Sequence, residues 1–432
     1  MTFLDIFNIG INGVLRNALV GTILLSISSS IVGTFTLLRK QSLIADVISH
    51  SVLPGICVGF IVHNERNLLI ILLFAALTGW ISTLFVEWIK RHPKITSDTA
   101  SAITLSSFFG IGVMLLLYII NSPSLEIKSG ISSFLYGSVI GISNTDIHIF
   151  AIIVVALIVI VYVFYRGLIV FTFDERFAQS IGIPVSFLKI VLSIITVIAI
   201  VIGIQAVGVI LIAALLITPA VIARFWTHRI SHLIFIACGA GVLGAVIGVE
   251  RSYQMEVPTG PWIVFTLSCL ALLSFLFSTK SGLIPKYICR YQSRKRMTQE
   301  DLLKALYHHK KRTDSYQFNT ETASSFKSKL GHSKTLSVLK ALQKQRYISL
   351  SEKTWTLSEH GYQKGKRLVK LHRLWEVYLT KHLNIKVDHV HEDADSIEHI
   401  ITPEIEKQLE EYLGKPETDP HNQKIPYRND ES

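Results

Sequence analysis

The stretch IHIFAIIVVALIVIVYVFY, Ile147–Tyr165, decides what class of protein this chain is. It contains no Asp, Glu, Lys or Arg, and charge stands only at its edges, at Asp146 and Arg166. An apolar run of about 18 residues or more crosses a hydrocarbon layer of roughly 30 Å as a helix, because a helix satisfies its backbone polar groups internally. A helix of that length packed into a soluble core keeps a polar face. This one has no charged face to offer, and Thr259–Ser278 reads the same way. One large soluble core is therefore the disfavoured reading.

On either side, from Leu15 to about Leu283, the chain is a series of such blocks. The pattern predicts spans near 15–38, 43–62, 68–88, 98–120, 145–166, 188–203, 206–226, 231–250 and 259–279. The short Gly-containing segment 131–143 reads as re-entrant or interfacial. Over all 432 residues the chain is 50% hydrophobic and 17% charged, with a mean hydropathy of +0.45. That average hides a switch. Beyond about Arg290 the sequence is dense in Lys, Arg, Glu and His and has the amphipathic patterning of soluble helices.

Positive charge sorts the loops. Arg39 with Lys40, the run Lys90–Lys94, Arg166, Arg176, Arg224 with Arg229, and the tail after Lys280 are expected on the cytoplasmic side. The loops at His63–Asn67, Asn121–Lys128 and Glu250–Val257 are expected outside. About nine spans satisfy this bias with the N-terminus outside; reading 188–226 as one broken helix makes it about eight and flips that end. Either way the C-terminus is cytoplasmic. No cleavable signal peptide is expected, since the first ten residues lack a basic region. Cys57, Cys238, Cys269 and Cys289 are scattered without a CxxC pair, which argues against a disulfide framework or a thiolate zinc site. The formal charge of +11 is expected from loops beside anionic lipid and from the basic tail.

An ionisable group inside an apolar span is expensive and so marks a candidate site. In SLIADVISHSVLPG, Asp46 and His50 stand four apart on one helical face. A carboxylate and an imidazole suit manganese, iron or zinc, and a second copy of the helix in a dimer would complete the set. Pro54-Gly55 is expected to break the helix just beyond. The plainer alternative is a capping Asp and a hydrogen-bonded buried His. A second candidate is FDERFAQSIGIP, a short amphipathic helix on the cytoplasmic side that ends at a Gly. It reads either as a surface helix or as a coupling helix docking a separate motor subunit. The chain carries no GxxxxGK[ST] phosphate loop; Gly361, Gly365 and Lys366 are wrongly spaced for one.

These two motifs, together with AVGVILIAALLITPA (206–220) and VPTGPWIV (257–264), occur in an order that resembles the integral-membrane subunits of ABC importers for manganese, zinc and iron. The resemblance covers about residues 10–285. It implies an ATPase subunit inside, an extracytoplasmic metal-binding protein outside and a second permease subunit. It also implies a place in the bacterial cytoplasmic (inner) membrane, Asp46 and His50 on the metal path, and Asp174, Glu175, Ala178 and Gly182 in coupling to the ATPase.

The tail starts with a basic connector, Lys280–Arg296, and a helix opening at Thr298-Gln-Glu-Asp301. A helix over Thr320–Leu330, a turn at Gly331 and the basic amphipathic helix Ser333–Arg346 follow. Two short strands, at Tyr347–Leu350 and Thr354–Leu357, then precede a helix opening at Ser358. That order describes a winged helix-turn-helix. It would set Ser333, Lys334, Thr335 and Ser337 near base edges and Lys340 and Lys344 near phosphates. A protein-binding winged helix is the alternative. Farther on, a long helix opens at Lys370, and Asp395, Glu398 and His399 fall at helical spacing. With His372 they offer N and O ligands suited to manganese or iron(II), with zinc also possible, although a solvated acidic surface fits the same residues.

The tail, about 297–427 and above all LGKPETDPHNQKIP (413–426), resembles the diphtheria-toxin-repressor and manganese-repressor family of metal-activated DNA-binding dimers. The resemblance implies Asp301, His372, Asp395, Glu398 and His399 as metal ligands. Two residues depart from the pattern. Lys304 stands where manganese-type members have a Glu ligand, and Asp395 where Glu is usual. Similar permease–repressor fusions are those of chlamydia-like bacteria. The expectation is thus an all-α polytopic membrane domain over 1–285, a basic linker over 286–297, a winged helix-turn-helix domain over 298–368 and a helical metal-binding and dimerisation domain over 369–432. The chain itself is expected to be no enzyme. Its tail would bind operator DNA with a divalent metal as co-repressor after release by cleavage in Lys280–Arg296, or else act as a cytosolic metal gate that never touches DNA.

Overall fold

The computed structural model describes residues 13–63, 68–121, 142–209, 212–325, 332–351, 354–383, 395, 397–399 and 401–427. Outside these lie nearly all of the expected re-entrant segment 131–143, most of the outward loops at 63–67 and 121–128, the end of the helix expected over 320–330 with Gly331, and residues 391–394. The chain divides into two compact units, Met1–Lys286 and Tyr287–Ser432.

The first unit is a helical bundle: α1 (Gly13–Leu38), α2 (Ser42–His63), α3 (Leu68–Lys90), α4 (Ser97–Asn121), α5 (Asn144–Phe173), α6 (Glu175–Ser180), α7 (Val185–Val207), α8 (Ile212–Trp226), α9 (Ile230–Met255) and α10 (Thr259–Phe277). Among the described residues, eight helices are long and apolar enough to span a membrane; the chain is a multi-pass membrane protein. The disputed stretch 188–226 is two helices. Gly208, at a φ of 85°, ends α7, and α8 at 15 residues is only about 22 Å long. The decisive apolar block lies in α5, which opens on a capping box: Ser143 Oγ accepts from Asp146 N at 3.2 Å and Asp146 Oδ2 from Ser143 N at 2.9 Å.

Helix α1 is central and packs against α5, α7, α8 and α9. Its buried face is small and hydroxylic, with Ser26, Ser28, Ser29, Ser30 and Thr34 all at 0% exposure. Lipid gives helices no hydrophobic reason to associate, so close backbone approach between small residues does that work. Gly33 is the clearest case, since a Cβ there would collide with the Leu216 carbonyl of α8. Helix α2 packs on α3 and α4. On the outer faces large apolar side chains such as Met114 and Tyr162 lie open, as a lipid-facing surface requires.

The second unit begins within α11 (Leu283–Thr313) and continues through β1 (Gln317–Phe318), α12 (Thr320–Ser325), α13 (His332–Lys344), β2 (Ile348–Ser351), β3 (Thr354–Leu357), α14 (Glu359–Leu383) and α15 (Pro403–Tyr412). The strands form an antiparallel sheet in the order β1-β3-β2, with Phe318 opposite Trp355 and Ile348 opposite Leu357. The wing expected as two strands thus has a third. Trp355 is 3% exposed in a core with Leu303, Leu306, Phe318, Leu339 and Leu342, and its Nε1 donates to Thr320 Oγ1 at 3.1 Å.

Two helix starts differ from expectation. Residues 283–297 are helical rather than a connector, because Pro285 sits in the first turn and neither Gly nor Pro follows before Thr313. Thr298 is therefore an interior residue whose hydroxyl donates to the Arg294 carbonyl at 2.9 Å, not a cap. Likewise His372 lies in the middle of α14, which opens where Ser358 Oγ accepts from Gly361 N at 3.0 Å. A smaller core of Leu374, Val377, Leu409 and Ile425 joins α14, α15 and the C-terminal segment. Asp419 fixes that segment: Oδ1 accepts from His421 N at 2.9 Å and Gln423 N at 2.8 Å, while Oδ2 faces Arg373 Nε at 3.4 Å.

Candidate metal centres and docking surfaces

In α2, Asp46 and His50 are both half-buried, one turn apart as the spacing required. Ser49 Oγ, between them, donates back to the Ala45 and Asp46 carbonyls at 2.9 Å. The His50 ring meets Phe109 of α4 edge-on at 5.0 Å, and its Nδ1 is buried without a hydrogen-bond partner among the described residues. A buried, unpartnered imidazole nitrogen is the kind of atom that a passing cation satisfies. The helix does not break at Pro54-Gly55 as expected; Pro54 is interior and α2 runs on to His63. Its neighbours hold it, for a Cβ at Gly55 would collide with the Phe74 carbonyl and Thr78 of α3. Among the described residues, groups of three or more ligand-type side chains occur only in the tail, so Asp46 and His50 stand as a pair.

Asp174 ends α5 and caps α6, accepting from Phe177 N at 2.9 Å. Glu175 pairs with Lys189 of α7 at 2.5 Å. Ala178 is fully buried, and Gly182 turns the chain with a φ of 82°. Opposite the buried Ala178, Phe173, Phe177 and Ile181 are 61%, 54% and 52% exposed. Phe173 ends α5, Phe177 lies within α6 and Ile181 follows it, so three apolar side chains around this short helix are open in this single chain.

The tail gathers every expected metal ligand into one centre. Asp301, Glu398 and His399 form one group and His372, Asp395 and Glu398 another, the ligand atoms of each lying within 4.8 Å of one another. His399 Nε2 is 3.2 Å from Asp301 Oδ1 and 3.8 Å from Glu398 Oε1. Its other nitrogen, Nδ1, lies 2.7 Å from Glu300 Oε2. Burial pushes His399 down, but the hydrogen bonds it donates to Asp301 and Glu300 outweigh this and hold the ring up at about 9. Burial pushes Glu300 up, but His399, Lys364 and Arg296 bring it down to about 2. His372 repeats the arrangement, with Nδ1 at 2.6 Å from Glu398 and Nε2 at 3.1 Å from Glu376. A carboxylate behind a ligating histidine fixes which nitrogen faces the ion.

Glu300 and Glu376 were not singled out in the sequence. Glu376 carried the available signal, four residues after His372 on one helical face. The group at Asp301, Glu398 and His399 fits a divalent ion once His399 gives up its proton: two carboxylates and an oriented imidazole, with Glu398 shared with the Lys304 ammonium at 2.9 and 3.2 Å. The group at His372 does not, because Lys304 Nζ lies 2.9 Å from Asp395 Oδ1 and Glu398 Oε2 and 3.0 Å from His372 Nδ1.

On α13, Lys334, Ser337, Lys340 and Lys344 are exposed along one side. Thr335 corrects the expectation of a base-facing residue: it is 3% exposed, one turn from the core residues Val338 and Leu339. The side chain of Ser333 lies outside the described residues.

Comparison with known proteins agrees with both halves. Residues 12–278 match the ABC 3 transport family, and residues 358–427 match the iron dependent repressor, metal binding and dimerisation domain. The chain is similar to the manganese transport system membrane protein MntC of Bacillus subtilis, at 38% identity over 88% of this chain and 88% of that protein. It is also similar to a probable metal transport system membrane protein of Chlamydia trachomatis, at 29% identity over 94% of each chain. Among solved structures, PsaBC from Streptococcus pneumoniae in complex with Fab matches 65% of this chain and 98% of that one, with a TM-score of 0.58 and 30% identity. The chain therefore belongs to the ABC 3 transport family of membrane permeases, and it carries behind its membrane unit a domain of the iron-dependent repressor type.

Proposed function

We propose that this chain is the permease subunit of an ATP-driven importer of a divalent transition metal, manganese or zinc first and iron next, in a bacterial cytoplasmic membrane with its tail inside. Its similarity to a manganese transport membrane protein supports the cargo. The observation that carries the reading is the buried His50 Nδ1, an unpartnered ligand atom one turn from Asp46 inside a membrane helix. A second permease subunit brings a second such pair to the path. An extracytoplasmic metal-binding protein delivers the ion. The exposed apolar side chains Phe173, Phe177 and Ile181, on a turn held by the Asp174 cap, the Glu175 pair, buried Ala178 and Gly182, dock a separate ATPase chain. Metal uptake into proteoliposomes holding the permease, its ATPase and its binding protein tests this across manganese, zinc and iron. Asp46→Ala with His50→Ala should abolish uptake of the cargo metal; undiminished uptake would refute the assignment.

In the same reading, the tail is a metal-dependent repressor. The ion, held by Asp301, Glu398 and His399, supplies positive charge that ties α11 to the segment around residue 398. That favours the dimer that lays α13 on operator DNA, with Lys334 and Ser337 toward bases and Lys340 and Lys344 toward phosphates. Cleavage within Lys280–Arg296 would free it. Support comes from Arg290–Arg296, which is exposed throughout and buries no apolar side chain. Lys304 inside the centre favours a second reading, in which the tail gates transport and binds no DNA. Footprinting with and without manganese, zinc or iron separates the two: the gate reading requires no protection under any metal. Immunoblotting against the tail checks release, and finding only the full-length membrane-bound product would refute it.

A further inference from the structure

Two groups of ligand-type side chains share Glu398, and one of them already surrounds a cation. The ammonium of Lys304 lies 3.0 Å from His372 Nδ1, 2.9 Å from Asp395 Oδ1, and 3.2 and 2.9 Å from the two oxygens of Glu398. Every residue of that group is thus within hydrogen-bond reach of one nitrogen. The Lys304 side chain is 17% exposed, Glu398 is 0% and His372 is 6% exposed. This is a built position, not a surface lysine resting on an acid. We propose that Lys304 is a tethered cation that permanently fills the second position of the centre. Each tail then takes up a single divalent ion, at Asp301, Glu398 and His399.

The chemistry follows from donors and charge. An ammonium has three protons, and here Asp395 and the two oxygens of Glu398 offer it three acceptors, beside an imidazole whose nitrogens face Glu398 at 2.6 Å and Glu376 at 3.1 Å. A divalent ion binding carboxylate and imidazole at about 2.0–2.2 Å would have to sit where the ammonium sits. Beside an undisplaced Lys304 it would meet a like charge at close range in a poorly solvated site. Lys304 stands on the same helix as Glu300 and Asp301, four and three residues on, so the backbone that orients the ion ligands also delivers the ammonium. Two consequences are specific. The link from α11 through Lys304 to His372 of α14 and to Asp395 exists before any metal arrives. Uptake by the tail is then a one-ion event without cooperativity between adjacent ions.

This inference rests on the reading of the tail as a metal-responsive module. The test uses the full-length chain in nanodiscs and counts bound Mn(II) and, separately, Zn(II) per chain by elemental analysis and calorimetry. The permease contribution cancels in differences between variants. His399→Ala should lose one equivalent relative to the parent, and Asp395→Asn, at a half-exposed position, should lose none. Lys304→Glu, which replaces the ammonium by a carboxylate, should gain one equivalent. If Asp395→Asn and His399→Ala each remove an ion from the parent, the second position binds metal; Lys304 is then no surrogate, while the metal-responsive reading stands. If Lys304→Glu remains folded by proteolysis and gains nothing, the proposal also falls. If His399→Ala matches the parent for both metals, the metal-responsive reading itself fails and takes the proposal with it.

Discussion

Replacing Glu300 by Gln should destabilise the metal-free tail by about 2 kcal/mol near pH 6 and by much less near pH 9.5. The perturbation removes one charge and keeps the shape, since a Gln amide oxygen still accepts from His399 Nδ1. His399 is raised from 6.5 to about 9 against the opposing effect of burial, which at about 1.4 kcal/mol per pH unit is roughly 3 kcal/mol, supplied chiefly by Asp301 and Glu300. The depression of Glu300 from 4.5 to about 2 reports the same ion pair from its other end and is not added. Both side chains are buried, at 4% and 7% exposure, so solvent screens the pair little. A raised histidine contributes stability that is complete below 6.5 and lost as pH rises through about 9. A depressed carboxylate contributes stability that is complete above 4.5 and lost as pH falls through about 2. The pair therefore contributes most between those two ordinary values, and the cost of the substitution should shrink toward alkaline pH. Urea titration of the detergent-solubilised chain, with the intact tail read by pulse proteolysis at pH 6 and pH 9.5, measures it. An equal loss at both pH values, or none at pH 6, would refute the electrostatic account.

Two further substitutions probe the frame that holds these sites. Gly33→Ala should cost about 1–3 kcal/mol by forcing α1 from the Leu216 carbonyl; a thermal shift of the detergent-solubilised chain checks it, and an unchanged midpoint would show that the helices do not meet there. Trp355→Ala, deep in the winged-helix core at 3% exposure, should cost about 3–5 kcal/mol. It should also raise the rate of tail proteolysis while leaving metal uptake by the membrane unit unchanged; a tail as resistant as the parent would refute it.

Much of this was readable from residue order because the physics is local. An apolar block such as that in α5 commits to a helix wherever lipid surrounds it, and the Asp46–His50 and Asp174–Phe177 relations are set by one turn of helix. Helix starts were less legible. Thr298 has the chemistry of a cap, yet α11 runs through it, because a cap acts only where the preceding residues are not themselves helical. Thr335 was misread for a related reason: a basic helix shows which residue types it carries, but which of its sides faces Val338, Leu339 and the sheet is a matter of packing.

Composition and periodicity by themselves determined a multi-spanning helical membrane unit followed by a basic, helix-rich tail, because burial of apolar length in lipid and helical spacing need no distant partner. Only the tertiary structure decided the tail's centre. It brought Glu300, Asp301 and Lys304 of α11 against His372 and Glu376 of α14 and against Asp395, Glu398 and His399, across nearly a hundred residues of chain in the His399–Asp301 contact. Spacing along a helix can set two ligands side by side. It cannot say that a lysine from another helix will place its ammonium among them, and the proposed one-ion centre rests on that placement.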